Sequence, residues 1–202
     1  MGATGGREGS ASMQQYWVPF WDIMRTREIE ILGRRRLHHL TRGAYEVSEV
    51  LPCRLNQVVT TTVCWCGTRP ILILSTADVR IDYRIFVRWF GYEVRPATST
   101  EVSALTSAHL QGVPPGGLPY MMPVFLDDVL LESDSLWIPA GDPSVWVHVL
   151  PPAVVKVSGA FPVSIRMAPP ARDERYSYYA VNRLNAQGVL EPSEPAILSG
   201  TD

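Results

Sequence analysis

Apolar residues recur along this chain at two spacings, one typical of helices and one typical of strands. Helical spacing extends over residues 16–36, where Pro19 falls in a first turn that tolerates proline, so we predict a helix there. Shorter segments with the same spacing, or with helix start and stop signals, predict further helices at residues 44–51, 82–90, 99–107 and 151–159.

Alternating or continuous apolar runs predict the strands. Residues 57–66 alternate and are rich in Val and Thr, and a turn at 67–70 joins them to the apolar run 71–75, which together predict a hairpin. Further strands are expected at residues 92–95, 123–126, 135–139 and 145–150. Because helices and strands are interspersed without a regular β-α alternation, the pattern predicts an α+β fold with a mixed sheet.

Length and composition indicate one domain with tails. The chain has 202 residues, of which 46% are hydrophobic and 19% charged, as is typical of a globular soluble protein. Residues 1–15 have the composition of a flexible leader, and no apolar run approaches the ~20 residues of a membrane helix, so we expect no membrane partner. Three cysteines, an odd number, argue against a disulfide framework and make the cytoplasm the default location.

The composition changes after residue 160. Residues 161–202 are rich in proline and charge, yet they also contain apolar and aromatic residues, among them Tyr176, Tyr178, Tyr179, Val181 and Leu184. This apolar content is too high for a free linker, and the segment is too short for a core of its own. We therefore expect a C-terminal extension that docks in part on the domain or on a second subunit, with a homodimer as one outcome.

Net charge is −2 at pH 7, so the chain as a whole is no polycation. An overall balance can still hide the basic patch that nucleic-acid binders often carry. The conspicuous basic run is Arg34, Arg35 and Arg36, for which a solvated helix end is a sufficient interpretation. The chain contains one lysine, Lys156, and its other basic residues are arginines.

The segment Gln111–Leu118 is the most informative stretch of the sequence. It reads Gln-Gly-Val-Pro-Pro-Gly-Gly-Leu and is followed closely by Met-Pro-Val-Phe-Leu-Asp-Asp at residues 122–128. A Gly/Pro loop of this kind turns sharply, and its backbone N–H groups can face a ligand because few side chains intervene. The strand that follows delivers Asp127 from an apolar edge.

This loop and strand stand within a longer colinear series. The series consists of His38-His39, the strands 58–65 and 71–80, the helix 82–91, Glu101-Val102, the Gly/Pro loop, residues 122–127, the Trp-bearing strand 136–141 and the strand 145–151. In this order the segments resemble the YbaK/prolyl-tRNA editing-domain family, whose members hydrolyse mischarged aminoacyl-tRNA. The resemblance covers roughly residues 38–160, and we assign residues 16–160 to the editing-like domain.

The resemblance implies a partly barrel-like mixed sheet with surrounding helices, a tRNA partner and chemistry without metal or other cofactor. In the family the loop grips the aminoacyl group, a lysine holds the substrate near the ester, and water attacks with help from the ribose hydroxyl. Carried onto this sequence, the catalytic positions are Thr60 and Thr61. The substrate-binding positions are Gln111, Gly112, Val113, Pro114, Pro115, Gly116, Asp127 and Gly141.

The sequence departs from the family pattern at the lysine, which is replaced by Thr60. Lys156 belongs to the last predicted helix and is not expected to substitute. Gln111 stands where the first loop glycine is usual, and Gly116 where a bulky apolar residue is usual. A donor beside a developing oxyanion raises the rate of reaction by on the order of 10²–10³. Threonine at this position can donate a hydrogen bond, but it lacks the positive charge of lysine.

Two principal hypotheses follow from this departure. One is an aminoacyl-tRNA deacylase that serves translation fidelity. The other is a non-hydrolytic relative that binds aminoacyl-tRNA, or an aminoacyl adduct, in a biosynthetic or regulatory role. A protein-interaction module that uses the C-terminal extension is a third interpretation.

Other reactive side chains have simpler interpretations beside the functional ones. Cys64 and Cys66 share one face of a strand and suit either a metal or redox pair or plain burial. Cys53 could act as a nucleophile with His38 or His39, although no orienting pattern supports it. His109 could serve as a base beside the loop or simply end a helix. The remaining alternatives are a metal at Asp127-Asp128, a structural or exposed His148, and ligand-facing Trp65 and Trp146.

Overall fold

The computed structural model describes residues 19–38 and 43–167. In chain order its elements are α1 (Phe20–Thr26), β1 (Gly33–Arg36), α2 (Ala44–Val50), β2 (Val59–Cys66), β3 (Arg69–Thr76), α3 (Arg84–Phe90), β4 (Val94–Pro96), α4 (Ser99–Thr106), β5 (Val124–Asp127), β6 (Leu136–Pro139), β7 (Val145–Val149), α5 (Pro151–Ser158) and β8 (Phe161–Val163). The predicted leader and the docking or dimerisation of residues 168–202 lie outside the described residues.

A five-stranded sheet is built around the predicted hairpin. β2 and β3 pair antiparallel over their full lengths, and Gly67 adopts φ +57° in the turn between them. The strand order is β4-β2-β3-β5-β8, in which β5 runs parallel to both β3 and β8. The predicted mixed sheet is therefore confirmed.

A second sheet of three antiparallel strands, ordered β1-β7-β6, lies beside the first. The two sheets meet at a bridge between Val58 and Trp137. They do not close into a barrel, so the α+β class is confirmed and the barrel-like character is limited to this contact.

Strand alternation separates two of the hydrophobic clusters. Val59 and Val63 of β2 enter a main core, to which both sheets and α5 contribute, whereas Cys64 and Cys66 enter a second cluster with Phe86. A third cluster packs α2 against Trp137 and Trp146. Because successive strand residues point to opposite faces, this division fixes the side of the sheet on which each candidate residue lies.

Four helices match their sequence-based predictions to within two residues, namely α2, α3, α4 and α5. The agreement follows from capping residues at the helix ends, which are recognisable in the sequence. Thr98 and Glu101 form a capping box at the start of α4, and Gly91 and Gly159 end α3 and α5 in the left-handed conformation, with φ +72° and +66°.

The helix predicted over residues 16–36 is wrong in its second half. Within the described residues the helix ends at Thr26, and residues 33–36 form β1, paired with β7 from Gly33 opposite His148 to Arg36 opposite Val145. Pairing with a distant strand therefore overrides the local helical spacing. The strand β8, which was not predicted, likewise depends on pairing with β5.

Candidate functional site

The Gly/Pro loop is buried from Gly112 to Gly116 and is held by three neighbouring elements. At its start, Gly141 N–H donates to the Gly112 carbonyl over 2.9 Å. A Cβ at Gly112 would lie 2.6 Å from the backbone nitrogen of Pro143, so only glycine fits against this turn. The structure therefore brings together the predicted residues Gly112 and Gly141.

The end of the loop lies against two helices. A Cβ at Gly116 would be 2.6 Å from the carbonyl oxygen of Val157 in α5. Gly117 adopts φ +70°, and its α-carbon faces the backbone of Phe20 in α1 so closely that a side chain has no room. Between these ends, the side chain of Val113 enters the main core with 1% exposure. The loop is thus fixed at both ends and in its middle.

The remaining loop residues differ in exposure. Pro114 and Pro115 are buried and Gln111 is half-buried. The Gln111 backbone N–H donates to Nδ1 of His109 over 3.4 Å, which makes His109 a support for the loop backbone. The Gly112 N–H donates to the His109 carbonyl over 2.8 Å.

The two predicted catalytic threonines lie on opposite faces of the sheet. Thr61 shares its face with Val59 and Val63 of the main core, where Val113 also packs. Its buried Oγ1 has no hydrogen-bond partner among the described residues. Thr60 lies on the same face of β2 as Cys64, which belongs to the second cluster. The loop's core contact therefore lies on the side of Thr61.

The Thr60 hydroxyl is engaged with the neighbouring strand. Its Oγ1 lies 3.1 Å from the Ser75 carbonyl oxygen and 2.9 Å from Ser75 Oγ. Because Ile73 pairs with Phe125, continuing this parallel register by two residues sets Ser75 beside Asp127. Thr60, Ser75 and Asp127 therefore form a polar row across β2, β3 and β5. Ser75 was missed from the sequence, where its only signal is a hydroxyl that follows the apolar run 71–74.

Asp127 is fully buried and poorly compensated. Its side chain is 0% exposed, and neither carboxylate oxygen has a hydrogen-bond partner among the described residues. The cation that pairs with it is Arg166, whose Nε lies 3.4 Å from Oδ1 of Asp127. Nη2 of the same guanidinium lies 2.8 Å from Oδ1 of Asp128. Desolvation raises the pKa of Asp127 to about 6, against the opposing effect of the Arg166 charge.

The cysteines and His148 have structural surroundings. Burial raises the pKa of Cys64 to about 12 and raises the pKa of Cys53 and Cys66, which disfavours a thiolate at each position. His148 stacks on Trp137 with ring centroids 4.6 Å apart. Among residues 19–38 and 43–167, no three His, Cys, Asp or Glu side chains group closely enough to hold a metal ion.

An open apolar groove of about 480 Å³ lies elsewhere on the surface. It is lined by Leu131, Pro151, Pro152, Val155, Lys156 and Pro162, and it contains none of the predicted site residues. Lys156 therefore borders this groove. Across the described part of the chain, no helix has the length and apolar character needed to cross a membrane.

Residues 38–157 match the family model of the aminoacyl-tRNA editing domain. The chain belongs to the aminoacyl-tRNA editing-domain family. The matched span contains the Gly/Pro loop, both threonines and Asp127, and it ends before Arg166. No curated protein matches the sequence significantly.

Solved structures share the editing-domain fold. One is a candidate trans-editing enzyme for prolyl tRNA synthetase, 26% identical, with a TM-score of 0.65 over 72% of this chain and 93% of that one. A second, a scaffold from work on epitope grafting by computational design, is 25% identical with a TM-score of 0.66, covering 72% of this chain and 94% of that one. The hypothetical protein APE2540, 21% identical over 71% of this chain and 96% of that one, matches with a TM-score of 0.66.

Proposed function

We propose that this protein is an aminoacyl-tRNA deacylase that acts on the aminoacyl ester at a tRNA 3′ end, in the cytoplasm where its substrates are made. The observation that supports this most directly is the Gly/Pro loop. It is packed against the 142–143 turn, α5 and α1, and it belongs to a span that matches the editing-domain family. The candidate trans-editing enzyme among its structural relatives supports deacylation as the reaction class.

The loop backbone supplies the candidate donors for the aminoacyl carbonyl. Pro114 and Pro115 have no N–H, and the Gly112 N–H is bonded to His109. The N–H groups of Val113 and Gly116 are therefore the donors that we assign to the ester. Fixed donors stabilise a developing oxyanion without reorganisation, so the packing of the loop is a functional property in this proposal.

Thr61 is the side chain that we assign to substrate positioning. Its hydroxyl is buried without a partner among the described residues and lies on the loop's side of the sheet. A buried hydroxyl without a partner costs free energy, and a ribose hydroxyl or the attacking water would satisfy it. Thr60, whose hydroxyl is bonded to Ser75, supports the sheet instead.

A second function is favoured by the missing cation. The stretch Val59–Cys66 contains no basic residue, so an oxyanion near β2 would lack the charge that the family lysine supplies. Without that charge the rate of hydrolysis would be lower by about 10²–10³. The same site would then bind an aminoacyl-tRNA without hydrolysing it. This is the non-hydrolytic binding role.

A deacylation panel run beside a binding assay separates the two functions. Wild-type protein is incubated with tRNAs mischarged with different amino acids, and binding of charged and uncharged tRNA is measured in parallel. Hydrolysis above the buffer rate supports the deacylase. Preference for charged tRNA without hydrolysis supports the binder, and the absence of both contradicts both.

A matched pair of variants tests the assigned side chain. Thr61→Val removes the hydroxyl while keeping the shape, and Thr62→Val makes the same change on the opposite face of β2. We expect the first to reduce hydrolysis or charged-tRNA preference severalfold and the second to leave both unchanged. Equal effects of the two variants would contradict the role of Thr61.

A further inference from the structure

The three arginines of β1 form an exposed basic edge. β1 pairs with β7 on one side only, so it is an edge strand of the three-stranded sheet. Arg34, Arg35 and Arg36 are all exposed. Arg34 and Arg36 stand opposite Val147 and Val145, which places them on the face that contributes to the main core. We call residues 34–36 the arginine edge.

Most of the positive charge of this edge is not neutralised. Arg36 contacts Asp142 at 3.1 Å and Ser144 Oγ at 3.1 Å. The guanidinium of Arg34 lies over the ring of Trp21, 4.6 Å from its centroid. Arg35 donates to the Arg34 carbonyl over 3.1 Å. Neither Arg34 nor Arg35 pairs with a carboxylate within the described ranges.

Each end of the arginine edge is linked by direct contacts to the Gly/Pro loop. Arg36 pairs with Asp142, and the backbone from Asp142 to Pro143 packs against Gly112 at the start of the loop. At the other end, Arg34 lies over Trp21, whose ring meets that of Phe20 edge to face at 5.2 Å. The backbone of Phe20 lies against Gly117, at the end of the loop.

We propose that the arginine edge binds the phosphate backbone of the tRNA acceptor end and thereby holds the 3′ terminus beside the Gly/Pro loop. This inference rests on the proposed function, since it assigns a docking surface to the same substrate. Guanidinium groups form charge-assisted, often bidentate hydrogen bonds with phosphates. Side chains two residues apart on a strand share a face at a spacing of about 6.6 Å, so Arg34 and Arg36 reach different points of one backbone.

Protection of an exposed strand edge is a different use of such arginines, because charge opposes pairing with another chain. The two uses make different predictions. A protective edge would reveal itself through self-association of the variant, whereas a docking edge would reveal itself through tRNA affinity and its dependence on salt.

The test uses the full chain and an acceptor-stem minihelix that ends in a single-stranded 3′ terminus. Binding of the minihelix is measured at several salt concentrations for wild type and for the double variant Arg34→Gln, Arg36→Gln, which removes the two side chains that share a face. The matched control, Arg69→Gln with Arg88→Gln, removes the same charge from two exposed arginines on β3 and α3. Thermal melting and solution mass are recorded for every variant.

We expect the arginine-edge variant to bind about tenfold more weakly at low salt and to lower the slope of log affinity against log salt by about 1.4 to 1.8, as for two lost phosphate contacts. The control should follow wild type. If wild type binds the minihelix and the two variants lose affinity equally or not at all, the docking surface is wrong while the proposed function stands. If wild type binds neither this minihelix nor charged tRNA, the proposed function fails as well.

Discussion

Thr60 and Asp127 lie on the same face of the five-stranded sheet, on either side of the strand that carries Ser75. Thr60 is bonded to Ser75, whereas the buried Asp127 carboxylate is approached by Arg166 at 3.4 Å and is stabilised further by the backbone N–H of Ile165. Neighbouring strands are about 4.8 Å apart, so a lysine at position 60, where the sequence resemblance would place it, is long enough to extend past Ser75 towards that carboxylate. The weak compensation of Asp127 therefore accords with the absence of a basic residue from Val59–Cys66.

The variant Thr60→Lys should restore a partner for Asp127. Because this lysine would lie on the face of Asp127 and not on the face of the loop's core contact, we expect it to lower the pKa of Asp127 and to reduce the loss of stability between pH 4 and 6, measured by denaturant unfolding at a series of pH values. The control is Thr62→Lys, which places the same charge on the same face two residues further along. Both variants must melt cooperatively, because an unpaired buried lysine destabilises a domain. Equal changes of the pH dependence in both variants would contradict this account.

Stability should fall as pH rises through the titration of Asp127. Desolvation raises its pKa to about 6 in the folded state, whereas an unfolded aspartate titrates near 3.9. Between these values the folded state binds more protons, so this carboxyl lowers the free energy of unfolding mainly as pH increases from about 4 to about 6, and its effect levels off above about pH 7. The total loss is about 3 kcal/mol, since about 2.1 pKa units correspond to about 1.4 kcal/mol each, and about 2 kcal/mol of it falls between pH 4 and 6.

Asp127→Asn isolates this effect, because asparagine keeps the shape but does not titrate. Denaturant unfolding at a series of pH values should show the variant gaining about 2 kcal/mol relative to wild type between pH 4 and 6. The buried amide can also shift the free energy of unfolding of the variant by the same amount at every pH, and such a shift does not bear on this test. A difference that does not change with pH would show that Asp127 titrates normally.

Substitution of Gly112 should disturb the loop without disturbing the fold elsewhere. The new Cβ of Gly112→Ala would meet the backbone of Pro143 at 2.6 Å, so the loop or the turn must move. We expect a loss of about 1–3 kcal/mol in stability and weaker binding of charged tRNA. Gly43→Ala is the matched control, since nothing lies within 4 Å of its Cβ position. Equal behaviour of the two variants would show that the loop tolerates the displacement.

Two truncations locate the functional part of the C-terminal extension. A chain ending at Ala160 lacks β8, the buried Ile165 and the Arg166 contact to Asp127, whereas a chain ending at Met167 keeps all three. Loss of Ile165 alone should cost about 2–3 kcal/mol, so the shorter chain should melt at a markedly lower temperature. Solution mass measured for both truncations and for the full chain tests the predicted homodimer. Identical melting of the two truncations would contradict a structural role for residues 161–167.

The elements that could be predicted from sequence are those set by neighbouring residues. The β2–β3 hairpin follows from alternation and a Gly-containing turn, and α4 follows from the Thr98–Glu101 capping box. By contrast, β1 and β8 exist because distant strands pair with them, β7 in one case and β5 in the other. A local pattern carries no information about such partners.

The candidate site likewise has one part that the sequence predicts and another that depends on tertiary structure. The Gly/Pro loop is evident in the sequence because glycine and proline are required wherever a backbone turns closely against its neighbours. The assignment of Thr60 and Thr61 to different faces requires the strand to be placed between two cores, and the row formed with Ser75 requires the register of three strands. These are tertiary facts, as is the approach of Arg166 to Asp127.

The pairing of β1 with β7 also sets the order of events during synthesis. Arg36 meets Val145, roughly 110 positions later, and a ribosome adding about 5–20 residues per second needs on the order of 5 to 20 seconds to cover that stretch. During this interval residues 33–36 of the nascent chain have no strand to pair with. The charge of three consecutive arginines would oppose the pairing of this segment with another chain before β7 has been synthesised.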